Sequence, residues 1–182
     1  MFNINKAPGF LSATAVFLLI LSACSADQPD NPGTEASAQS QTGLTKAPDF
    51  EVTTIDGEVM SLEKSMENNK PLVVYFTASW CPTCARNWPA LSEVYPEFED
   101  KLDLVAIGID PTDDVEVMRN LAEKEGFTFP STKGYPNVMV DFGARSQATT
   151  VGVNRDGYIV FMKSNQALSS DEYRKLFDEL VN

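Results

Sequence analysis

Two cysteines three residues apart, Cys81 and Cys84, carry most of the chemistry open to this sequence. They lie in TASWCPTCARNWPAL, running from Thr77 to Leu91. A pair at this spacing can be a structural disulfide, half of a metal site, or a redox centre that cycles between dithiol and disulfide. Structural zinc wants four Cys or His ligands, usually as two such pairs. This chain has one further cysteine, Cys24, and no histidine, so a single copy would have to borrow carboxylates. A metal or iron–sulfur cluster held between two copies, in a non-enzymatic carrier, stays open as an alternative. An inert disulfide across so few residues closes a very small loop and constrains the unfolded chain weakly. The missing histidine also removes Cys–His and Ser–His–Asp catalysis.

The redox use has a positive mechanism. Leu72 to Phe76 (LVVYF) is an uninterrupted apolar run of strand length, and Pro82 is pre-set for the first turn of a helix. Cys81 is therefore expected at the helix N-cap. Free N–H groups and the positive end of the helix dipole stabilise a thiolate there, which lowers its pKa and makes Cys81 the exposed nucleophile. Cys84, one turn in, is expected to be partly buried, protonated and placed to resolve a mixed disulfide. Trp80 would shield the sulfurs and form part of a docking surface, with Pro82 and Thr83 lying between the two cysteines.

The elements that must hold this pair read as follows. Ala47-Pro48-Asp49-Phe50 opens the domain, and Glu51 to Leu62 has the pattern of a hairpin turning at Asp56-Gly57. After the LVVYF strand comes a helix with Trp88, Leu91, Tyr95 and Phe98 on one face and Pro89 inside it, where a kink is expected. Leu102 to Ile109 is a second buried strand. Asp113 and Asp114 start a helix reaching about Glu125, with Val115, Met118 and Leu121 or Ala122 inward. TTVGVNRDGYIVFMK is a hairpin turning at Arg155-Asp156-Gly157. A last helix follows the capping-box pair Ser169 and Glu172, with Tyr173, Leu176, Phe177 and Leu180 apolar. Trp88, Met118, Met139 and Met162 are expected as core. Strands alternating with helices and ending in an antiparallel pair predict an α/β fold, a mixed central sheet flanked by helices.

The chain has 182 residues and is 43% hydrophobic, enough for a core that needs no disulfide staple. Its net charge of -12 argues against binding nucleic-acid phosphates. Residues 1–23 read as a signal peptide: Phe10 to Leu21 is uncharged and mostly apolar, too short to span a bilayer as a mature helix. It ends in Leu21-Ser22-Ala23-Cys24, which resembles the lipobox of bacterial lipoproteins. That resemblance implies a diacylglycerol on Cys24 and attachment in the cell envelope, outside the cytoplasmic membrane. Residues 24–45 hold one large apolar residue, Leu44, and read as a disordered tether reaching roughly 25 Å. Residues 46–182 form the working domain.

Several of these segments together, APDF at 47–50, the Asp56-Gly57 turn, YFTASWCPTC, Trp88-Pro89-Ala90-Leu91 and Asn154-Arg155-Asp156-Gly157, resemble the membrane-anchored thioredoxin-like proteins of the TlpA and ResA kind. The resemblance implies a thioredoxin fold with an added N-terminal β-hairpin. It implies thiol–disulfide exchange on exported proteins, among them apocytochrome c, with electrons from a membrane thiol carrier of the CcdA or DsbD type. No cofactor beyond the Cys81–Cys84 couple is implied, and the reductase direction is the expected one. A peroxidase would place Thr at 78, where Ala78 stands.

Three positions depart from the family pattern. Asn87 stands where an acid commonly follows the second cysteine by three residues, and Tyr75 where thioredoxins bury an aspartate. Water or a distant acid such as Asp141 is then expected to relay the inner thiol's proton. Ala148 stands where the family has its cis-proline, eight residues before Asp156. A cis bond before a non-proline residue costs about 2.5–4 kcal/mol, so the Gln147–Ala148 bond is expected to be trans and to open the site.

The LSAC boundary makes one expectation directly testable. Cys24→Ala should shift the protein from the membrane fraction to the soluble fraction, or leave it uncleaved. A variant that still carries lipid at its N-terminus would rule out Cys24 as the anchor.

Overall fold

The computed structural model describes residues 43–182. Cys24, the signal segment and most of the tether lie outside the described residues. Thr45 and Lys46 form a two-residue edge strand β1, so the last tether residue already belongs to the sheet.

The six-stranded sheet has the order β1-β8-β7-β4-β5-β6. Its middle strand is β4 (Leu72–Thr77), paired in parallel with β5 (Asp103–Gly108) and antiparallel with β7 (Thr149–Val153). Beyond β7 lies β8 (Tyr158–Lys163), and beyond β5 lies β6 (Ser131–Gly134). All six residues of β4 are buried, as an unbroken apolar run requires when helices cover both faces.

Side chains of β4 alternate between two cores with the period of a strand. Val73 and Tyr75 pack with Cys81, Cys84, Trp88, Leu91, Tyr173 and Phe177, under helices α2 (Pro82–Val94) and α5 (Ser170–Val181). Leu72, Val74 and Phe76 pack on the other face with Val105, Ile107, Val138 and Phe142. There the hairpin of β2 (Glu51–Thr53) and β3 (Val59–Ser61) closes the layer through Val52 and Met60. This is the expected mixed sheet flanked by helices, with the added hairpin.

Local detail departs from expectation in ways with plain causes. The first hairpin does not turn in two residues. Thr54 N–H bonds to Glu58 O, leaving Ile55, Asp56 and Gly57 as the loop, with Gly57 at φ +88° and Ile55 buried. The stretch read as a strand to Leu62 instead enters a short helix α1 (Leu62–Glu67), capped by the Ser61 hydroxyl accepting from Lys64 N–H. Helix α2 runs on through Pro89, which removes one intrahelical donor. In α3 (Val115–Glu125) Met118 is buried, but Val115, the first residue of the helix, is 37% exposed. Strand β6 and α4 (Pro136–Asp141) are not expected from the sequence: STKG has neither alternation nor an apolar run, and pairing with β5, together with a bridge from Thr132 to Thr54, makes it a strand.

The parallel strands β4, β5 and β6 send their following loops to the same edge of the sheet. There Ile109 N–H bonds to Thr77 O at 2.9 Å, and Tyr135 N–H bonds to Gly108 O at 2.7 Å. Gly134 lets two backbones touch: a Cβ there would lie 1.9 Å from the carbonyl oxygen of Asp110. The cysteine pair sits on this edge.

Candidate active site

Strand β4 ends at Thr77, and the chain turns at once. Cys81 N–H bonds to Ala78 O at 3.1 Å, closing a four-residue turn with Ser79 and Trp80 at its centre. Cys81 is extended at φ -86°, ψ 110°, and is the N-cap of α2, with Pro82 in the first turn. Its sulfur accepts the Cys84 N–H at 3.0 Å, and its carbonyl accepts the Ala85 N–H. A sulfur in this place receives one of the helix's unpaired donors and feels its positive end. The two cysteines are joined as a disulfide, with Cα atoms 5.2 Å apart.

One expectation about this pair fails. Cys81 is not exposed: it is 2% accessible and Cys84 is 0%. The reason is the cluster around them, in which Ala78, Trp88 and Ala148 pack with both cysteines. The exposed group is Trp80, at 56%. Pro82 is exposed, while Thr83 is half-buried with its hydroxyl accepting from Arg86.

The turn is gripped from the loop after β5. Buried Asp113 accepts the Ser79 N–H at 2.9 Å on one carboxylate oxygen and the Ser79 hydroxyl at 2.6 Å on the other. Asp110 accepts the Trp80 indole N–H at 2.6 Å. The hydroxyl of Thr112, then its N–H, then the indole hold the Asp110 carboxyl below the usual carboxylate range. Neither aspartate was foreseen in this place. Asp113-Asp114 reads as a helix start, and only Asp114 serves as one, accepting from Val117 N–H.

Beneath the inner cysteine the polar groups are uncharged. Asn87 is fully buried. Its amide donates to Thr83 O and Gln166 O, and its carbonyl oxygen accepts from Leu168 N–H and the Tyr173 hydroxyl. With all four bonds made, it is a fastener between α2 and the segment before α5. Tyr75 is buried with its hydroxyl unbonded, although the Asn87 amide and the Thr77 hydroxyl lie near it. Burial above all, then the neighbouring Tyr173, keeps it protonated. Asp141, expected as a proton relay, ends α4 as an exposed side chain, and no hydrogen bond ties it to the cysteines. Among the described residues no group of three or more His, Cys, Asp or Glu could hold a metal ion.

Residues 44–163, about two thirds of the chain, match the AhpC/TSA family. The chain belongs to that family. It is 30% identical over 115 residues to the thioredoxin-like protein YneN of Bacillus subtilis, covering 63% of this chain and 66% of that one. It is 31% identical over 128 residues to the thiol-disulfide oxidoreductase ResA of Geobacillus kaustophilus, covering 69% and 70%. A secreted Mycobacterium tuberculosis disulfide oxidoreductase homologous to E. coli DsbE has a similar structure. Its TM-score is 0.63 at 25% identity, over 72% of this chain and 96% of that one. The chain spans just under two thirds of the length of the first Bacillus relatives it matches.

The structure corrects one expectation for Ala148, that the site opens there. Ala148 is buried at φ +53°, in the left-handed region. Its N–H bonds to Phe76 O at 2.8 Å, and its carbonyl accepts the Gln166 N–H at 3.2 Å. Both backbone groups are thus used internally, and the loop is closed here. The neighbouring Gln147 is half-exposed.

A proline at 148 would need φ near -65° and would leave the Phe76 carbonyl without its buried partner. Ala148→Pro should therefore lower stability by at least about 2 kcal/mol. Urea unfolding measures this. An unchanged midpoint would mean that the chain reaches the proline conformation without loss.

Proposed function

We propose that this protein is a thiol–disulfide oxidoreductase that reduces disulfides in exported proteins, held in the cell envelope by a lipid on Cys24. The observation that carries the reading is the Cys81 sulfur at the N-cap of α2, within hydrogen-bond reach of the Cys84 N–H. The names of ResA and of the DsbE homologue support the activity. The apolar, lipobox-like segment read at residues 1–24 supports the place.

The reaction balances on the two cysteines alone. The Cys81 thiolate attacks one sulfur of a client disulfide, forming a mixed disulfide and releasing the other client sulfur as a thiolate that takes a proton from water. Cys84 then gives up its proton, which passes through water to the departing client sulfur, and attacks the Cys81 sulfur. The client leaves with its second thiol, reduced by two electrons, and the enzyme holds the Cys81–Cys84 disulfide. Returning this to the dithiol needs two electrons and two protons from a membrane thiol carrier of the CcdA or DsbD type. Apocytochrome c, which must keep its haem-binding cysteines reduced, is the proposed client.

The sulfur at the helix end draws the most stabilisation as a thiolate, so Cys81 is the attacking residue and Cys84 the resolving one. Cys84→Ser should trap client proteins as mixed disulfides on Cys81, whereas Cys81→Ser should abolish exchange. Diagonal gels under non-reducing conditions read both outcomes, and adducts trapped on Cys84 instead would reverse the assignment.

Direction is set by the potential of the couple. Equilibration with glutathione should place it near the thioredoxin value of about -270 mV. A value near -120 mV would mean an oxidant, and metal bound to the reduced pair would favour the carrier alternative.

A further inference from the structure

We propose that Asp113 is a positioning residue for the nucleophile Cys81, acting through Ser79. The proposal rests on the exchange reading above only for the rate it concerns, since the placing of the sulfur is measurable without any client.

The turn that delivers Cys81 has one main-chain bond of its own, Cys81 N–H to Ala78 O. Its two central residues are held from outside, by Asp113 and Asp110. The grip of Asp113 is the stronger in kind. Both oxygens of its carboxylate go to Ser79, one to the N–H and one to the hydroxyl, so the residue fixes backbone and side chain together. Burying a carboxylate is costly unless it is hydrogen-bonded, and at 3% exposure the Asp113 side chain bonds to no residue other than Ser79 among the described residues.

Its own loop is anchored in turn. Asp113 N–H bonds to Asp110 O at 3.0 Å, and Asp113 O accepts the Gly134 N–H at 2.8 Å. Gly134 presses against the Asp110 carbonyl, where any side chain would collide with backbone. Strand β6 thus backs the loop, the loop grips Ser79, and Ser79 stands two residues before the nucleophile. Capping α3 does not explain the aspartate, because Asp114 does that.

Thiolate stabilisation at a helix end falls off within one turn, and a displacement near 1 Å can cost about a hundredfold in a positioned reaction. Releasing Ser79 frees the turn, lets the sulfur leave the Cys84 N–H, and should weaken the stabilisation.

The test separates position from charge. Asp113→Ala and Asp113→Asn both remove the charge. Only Asn keeps an acceptor for the Ser79 N–H and a partner for its hydroxyl. Iodoacetamide labelling of reduced Cys81 across pH, in protein shown folded by circular dichroism, should give a higher midpoint for Asp113→Ala than for Asp113→Asn. Disulfide exchange should fall about tenfold or more in the alanine variant and recover to within about threefold of wild type in the asparagine variant. Equal midpoints and equal rates in the two variants would overturn the proposal. If Asp113→Ala does not fold, Ser79→Ala keeps the carboxylate and drops the 2.6 Å bond. A raised labelling midpoint there supports the role, and an unchanged one overturns it. A wild-type protein inactive on disulfides would count against the exchange reading, while the labelling midpoints would still decide the role of Asp113.

Discussion

The bond from the Cys84 N–H to the Cys81 sulfur is the constraint on which the rest of the site depends. It exists because a strand buried on both faces ends at Thr77 and a helix begins at Pro82, with only four residues to reverse direction between them. That short turn leaves Cys81 in extended geometry at the helix end, the one place where a side chain collects both an unpaired N–H and the positive end of the dipole. The outer residues of the site, Trp80, Ser79, Asp110 and Asp113, keep the turn in that shape.

Charge is distributed unevenly about the sulfurs. On the side of the β5–α3 loop two carboxylates hold the turn, one buried and one in contact with an exposed indole. Beneath Cys84 the buried polar groups are Asn87, Tyr75, Tyr173 and Thr150, none charged, and burial holds both tyrosines protonated. Asn87 makes all four bonds that a side-chain amide offers to its neighbours. That pins the segment at 166–168 against α2 and, through Gln166 N–H, against Ala148. The same asparagine that cannot carry a proton therefore fixes the loop facing the disulfide.

Much of the fold was legible in the residues. LVVYF, the Asp156-Gly157 turn and the Ser169–Glu172 capping box are local signals, decided within a few positions of chain, and each stands where it was expected. The N-cap role of Cys81 belongs with them, since Pro82 and the preceding strand set it locally. Strand β6 and the short α1 were not legible. One is a polar edge strand defined by its neighbour, and the other hangs on a single capping serine.

The sequence by itself therefore determined which reactive groups are present and where: two thiols at helical spacing, at a helix start, with no histidine and no second such pair in the same chain. Tertiary structure alone decided the environment of those thiols. Burial of Cys81 comes from Ala78, Trp88 and Ala148 packed around it, residues separated by as many as 70 positions. The partition of Asp113 and Asp114 into a buried clamp and an exposed cap depends on where β6 presses the loop. The left-handed backbone at Ala148 depends on partners at Phe76 and Gln166. Local signals fix which elements form, whereas burial and hydrogen-bond partnership are properties of several elements meeting, which no window of sequence contains.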